Sequence, residues 1–66
     1  MILIKLKNGL VYENDEALGL NLDKVGIGDC LTEGGEYRLT FKKPESLFGI
    51  DWIKINREEV LEIIEV

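Results

Sequence analysis

The sequence predicts one small, mainly β domain spanning residues 1–66. Three observations carry that expectation. Apolar and polar residues alternate with a period of two in several short segments. The Asn8-Gly9 step and the Gly34-Gly35 pair punctuate them. The last residues, Val60, Ile63, Ile64 and Val66, are β-branched and favour extended backbone.

The elements follow in order. Ile2, Ile4 and Leu6 alternate with Leu3, Lys5 and Lys7, which is a strand with one apolar face. Asn8-Gly9 then predicts a type I′ hairpin turn, and Leu10–Glu13 returns as the second strand. Leu18, Leu20 and Leu22 alternate with Ala17, Gly19 and Asn21, which predicts a third short strand. Gly19 weighs against a helix from Glu16. Val25–Asp29, with Gly26 and Gly28, reads as a bend, and Glu33-Gly34-Gly35 as a turn.

The strand after that turn has the cleanest alternation. Tyr37, Leu39 and Phe41 point one way; Glu36, Arg38, Thr40 and Lys42 point the other. Lys43-Pro44-Glu45-Ser46 ends it, because proline has no N–H for a ladder. Leu47-Phe48-Gly49 completes a loop, and Ile50–Asn56 forms the next strand. Asn56 and Glu59 have capping-box spacing, which predicts one helical turn at 57–59 before a final strand, Val60–Val66. Five or six short strands with one helical turn before the last suggest an SH3-like or Sm-like barrel, or a strongly bent antiparallel sheet.

Composition narrows the function. Apolar residues make up 45% of the chain, enough for a thin core without disulfides or metal. The chain carries 13 acidic and 8 basic residues, net −5, which favours solubility and disfavours polyanion binding. There is no histidine, the usual general base and commonest metal ligand. Cys30 is the single cysteine and follows Asp29, whose charge disfavours a thiolate; it reads as a small core residue. No acidic spacing matches a calcium loop, and neither glycine pair matches a phosphate loop. The chain therefore reads as a non-enzyme without cofactor or metal. Lys5 and Lys7 interrupt the apolar start, which is too short for a signal core or a membrane span. A cytoplasmic protein is expected.

Binding is the remaining class, and three surfaces compete. The first is Leu47, Phe48 and Trp52. Trp52 is out of phase with Ile53 and Ile55, so it either faces outward as a protein-binding hot spot or plugs one end of a barrel. A homodimer through an exposed strand edge is an extension of this reading. The second is a basic stripe of Lys5, Lys7, Arg38, Lys42 and Lys43, which requires their strands to be neighbours. The third is acidic: Glu58, Glu59, Glu62 and Glu65 with Glu13, Asp15 and Glu16, which suits an inhibitor of a nucleic-acid-binding protein.

Met1-Ile2-Leu3-Ile4-Lys5-Leu6-Lys7 resembles the first strand of the carbon storage regulator family of small RNA-binding translational repressors. Asn56-Arg57-Glu58-Glu59-Val60 is similar to the start of that family's C-terminal helix, and Ile27-Gly28-Asp29 to its second-strand turn. The resemblance implies RNA contacts at Lys5, Lys7 and Arg57. The chain departs from the pattern at Leu6, where the family has a basic residue. It also has a longer spacing from Lys7 to Gly28 and lacks the proline-containing segment before the arginine.

Overall fold

In a computed structural model, residues 1–43 and 49–66 are described. They form five strands in two antiparallel sheets, with one short helix between them. The strands are β1 (Ile2–Leu6), β2 (Val11–Asn14), β3 (Glu36–Lys42), β4 (Ile50–Asn56) and β5 (Val60–Glu65). One sheet has the order β2-β1-β5; the other is the β3-β4 pair. The mainly β expectation holds, but the two sheets do not close into a barrel among the described residues.

The first hairpin forms because β1 alternates cleanly: Ile2, Ile4 and Leu6 are buried. Its turn differs from the expected type I′. Only Gly9 has positive φ (93°), whereas type I′ needs it at both central residues. Leu6 N–H donates to Leu10 O, and Gly9 N–H donates to Leu6 O, so the loop has three residues, Lys7-Asn8-Gly9. Asn8 Oδ1 accepts from Leu10 N–H and fixes the turn.

The third strand expected at Leu18, Leu20 and Leu22 does not form. Residues 15–21 make successive turns, with Leu18 N–H donating to Asp15 O and Asn21 N–H to Leu18 O. The reason lies in Asp15 and Gly19. Asp15 Oδ1 accepts from Ala17 N–H, which starts a turn, and Gly19 takes φ +54°. The residue buried in this segment is Asn21; Leu20 is 90% exposed.

The bend expected at Val25–Asp29 is a helix, α1 (Lys24–Asp29), which runs on through a π-helical stretch at Cys30–Gly34. Asp23 caps it: its Oδ1 accepts from Gly26 N–H at 2.8 Å. Ile27 and Leu31, four residues apart, are its buried face. Burial of that stripe outweighs the poor helix propensity of Gly26 and Gly28. The expected turn at Glu33-Gly34-Gly35 is the end of this helix. Gly35 takes the left-handed conformation (φ 74°), and its N–H returns to Leu31 O.

β3 and β4 pair along their full length, and their inner residues Tyr37, Leu39 and Ile55 join the core with Ile27 and Leu31. The capping box also forms. Glu59 Oε1 accepts from Asn56 N–H (3.3 Å) and Asn56 Nδ2 (2.8 Å), and Arg57–Glu59 make one 3-10 turn. β5 follows at once and pairs with β1, with a bulge that swings Leu61 out to solvent. No helix among the described residues is long and apolar enough to cross a membrane.

Candidate binding groove on the β3–β4 hairpin

The outer face of the β3–β4 hairpin is set by register. Arg38 lies opposite Lys54, Thr40 opposite Trp52, and Lys42 opposite Ile50. Period-two alternation sends all six outward, because Tyr37, Leu39 and Ile55 turn inward. Trp52 is therefore half exposed and does not plug the core.

Two cations directly across a strand pair repel. Arg38 and Lys54 avoid this by taking different partners. Lys54 Nζ lies 3.6 Å from a Glu36 carboxylate oxygen. Arg38 lays its guanidinium over the Trp52 ring, with its Cζ 3.9 Å from the ring centroid. A cation over the ring face is attracted by the ring's quadrupole, and the guanidinium carries five N–H donors for other partners.

Leu20 and Leu22 build the other wall. The 15–22 segment runs along the β3 edge, where Asn21 acts as a substitute strand. Its Oδ1 accepts from Thr40 N–H (2.8 Å), and its Nδ2 donates to Thr40 O (2.9 Å) and Asp15 O (2.8 Å). Gly19 permits the close approach: a Cβ there would lie 2.8 Å from Thr40 Oγ1. Between this segment and Trp52 opens a groove of about 450 Å³, lined by Leu20, Leu22, Ile50 and Trp52 with Arg38 and Asp51. The lining is apolar with a few polar groups, the composition of a binding cleft.

A buried polar cluster supports the groove from beneath. Tyr37 Oη donates to Asn14 Oδ1 and accepts from Leu22 N–H; Asn14 Nδ2 donates to Leu22 O. Burial raises the Tyr37 pKa above its ordinary value, against the opposing effect of the Leu22 N–H. No described buried side-chain polar atom lacks a partner.

The structure redistributes the predicted sites. Trp52 of the first candidate surface shares the outer hairpin face with Arg38 and Lys42 of the second. Leu47 and Phe48 lie outside the described residues. The basic stripe does not assemble. β1 pairs with β2 and β5, not β3, so Lys5 belongs to the other sheet, opposite Glu62. Lys7 lies beyond β1 in the first turn. Lys43 approaches Asp51 at 3.8 Å. Arg57 lies in the 3-10 turn, its Nη1 3.5 Å from Thr32 O. The acidic residues are also dispersed, with Glu59 used in the cap and Glu62 facing Lys5. Among the described residues no three His, Cys, Asp or Glu side chains form a metal-ligating group.

Leu20, Leu22 and Asn21 were not among the predicted site residues. The sequence signal for this segment was the alternation of Leu18, Leu20 and Leu22, which read as a strand and not as a groove wall. The chain matches no family model, no curated protein and no solved structure. The fragments similar to the carbon storage regulator family also differ in structure. Ile27-Gly28-Asp29 is helical, and Asn56 opens a single 3-10 turn.

Proposed function

We propose that this protein is a non-enzymatic binding module that engages a protein partner through the groove between Trp52 and Leu20. The observation that carries the reading is the half-exposed Trp52 beside exposed Leu20, Leu22 and Ile50. Such an aromatic anchor with aliphatic neighbours is the usual centre of an interface hot spot. The element order, with a 3-10 turn between β4 and β5, supports reading the two sheets as halves of an open SH3-like or Sm-like barrel. The small acidic chain acts on this reading as a cytoplasmic accessory protein.

A second reading, single-stranded RNA binding, has the Arg38–Trp52 stack in its favour. Against it stand the net charge of −5 and the dispersal of Lys5, Lys7 and Arg57. The test is photo-crosslinking in the native host from a benzophenone amino acid placed at Ile50. A discrete protein adduct lost on Trp52→Ala supports the module. Adducts unchanged by Trp52→Ala reject this groove, and a nuclease-sensitive adduct selects the RNA reading.

A further inference from the structure

Resting on that reading, we infer that the partner segment is acidic as well as apolar, and that Arg38 binds a carboxylate on it beside an apolar side chain seated against Trp52. The chain as a whole is acidic, yet the outer face of the β3–β4 hairpin is not. It carries Arg38, Lys42 and Lys54 against Glu36 alone. Among the described residues, Lys54 is paired with Glu36, whereas Arg38 and Lys42 make no ion pair. In the groove lining, Arg38 makes no ion pair among the described residues, while the one carboxylate, Asp51, lies 3.8 Å from Lys43. Such an apolar groove is complementary to an apolar–acidic segment and disfavours a basic one.

Arg38 is also prepared for this role. Its guanidinium carbon already lies 3.9 Å from the Trp52 ring centroid, so the contact with the ring exists before a partner arrives. The donors that remain lie in the guanidinium plane, where a carboxylate accepts two parallel hydrogen bonds. The same ring that contacts the arginine is the apolar anchor. The site thus couples two contacts, an apolar side chain against Trp52 and a carboxylate one or two residues away against Arg38. A nucleic acid fits less well. Phosphate affinity grows with the number of cations engaged, and this face offers few.

The experiment selects a random dodecapeptide display library against the full chain and three variants: Trp52→Ala, Arg38→Gln and Arg38→Glu. The Arg38 variants leave the core untouched, and Glu at that position faces Lys54. The expected result is a motif with an aromatic or aliphatic residue beside Asp or Glu. It should weaken about tenfold on Arg38→Gln and change to a basic preference on Arg38→Glu. Binding of the selected peptides is confirmed by fluorescence of Trp52, the only tryptophan in the chain. A Trp52-dependent motif with no acidic preference overturns the inference and leaves the binding module standing. Enrichment that is insensitive to Trp52→Ala removes both. Tighter binding of a dodecathymidylate than of any selected peptide also overturns the inference, in favour of the nucleic-acid reading.

Discussion

Tyr37 Oη donates a 2.6 Å hydrogen bond to Asn14 Oδ1, and this contact ties β3 to β2 across the boundary between the two sheets. The same hydroxyl accepts from Leu22 N–H, while Asn14 Nδ2 reaches Leu22 O. Three chain segments that share no strand ladder are locked by one phenol and one amide. The groove wall at Leu22 is positioned by this lock. Its rigidity is therefore a property of the core beneath it and not of the surface.

Tyr37→Phe tests the lock. The ring still packs, but Asn14 Oδ1 loses its donor while buried, and the part-buried Leu22 N–H loses its acceptor. An unsatisfied buried group costs about 1–3 kcal/mol, so a loss of that order is expected. Urea unfolding of the two proteins measures it; a loss under about 0.5 kcal/mol would falsify the lock.

The lock also predicts a pH dependence. Burial holds the Tyr37 pKa above 10, so the fold favours the neutral phenol. A group with a raised folded pKa contributes stability that is complete below the unfolded value. That contribution disappears as pH rises through the folded value. The wild-type protein should therefore lose stability above pH 10. The gap between it and Tyr37→Phe should narrow over the same range. Urea midpoints at neutral pH and in stepped alkaline buffers decide this; a gap that stays constant removes Tyr37 as the titrating group.

The first hairpin, the strands β3 and β4 and the final strand were legible in the sequence because their signals are local. Ile2, Ile4 and Leu6 alternate, Tyr37 and Leu39 alternate, and Asn56 meets Glu59 at capping-box spacing. The outward aspect of Trp52 was legible from its phase against Ile53 and Ile55, although the sequence slightly favoured a plug, because a small domain needs its large side chains for the core. The helix was not legible, because Gly26 and Gly28 read as breakers when the buried Ile27–Leu31 stripe is unseen. The basic stripe failed for a different reason. Which strands are neighbours is a tertiary fact, and Lys5 gives no local sign that β1 lies between β2 and β5. Asn14 and Asn21 looked like ordinary polar turn residues, since a polar side chain gives no period-two signal that it is buried.

The helix glycines should respond in opposite directions to alanine. At Gly28 a Cβ meets nothing within 4 Å, so alanine should add helix propensity, about 0.5–1 kcal/mol. At Gly26 a Cβ would lie 2.9 Å from Leu22 Cβ, so alanine should push the groove wall outward and destabilise the domain. Thermal unfolding of both variants checks the pair. Gly28→Ala should raise Tm by a few degrees, roughly 3–8 °C for a domain of this size. Equal effects at the two positions would mean that Leu22 does not pack against the helix.

Asn21 carries the most specific prediction about the β3 edge. Its amide meets both backbone groups of Thr40, as a neighbouring strand would. Asn21→Ala removes that cover and exposes a donor and an acceptor on an edge already flanked by Leu20 and Leu22. Asn21→Asp keeps the acceptor for Thr40 N–H but sets a carboxylate against the carbonyl oxygens of Thr40 and Asp15, which now lack their donor. Both variants should lose roughly 1–3 kcal/mol, with the aspartate the worse near neutral pH and recovering as it is protonated in acid. Amide exchange at Thr40 should accelerate in both relative to Leu39, whose pairing with Ile53 in β4 is unchanged. An uncovered edge is a template for pairing with another chain, so concentration-dependent self-association should also increase in Asn21→Ala. Unchanged exchange at Thr40 would show that the edge is protected by something other than Asn21.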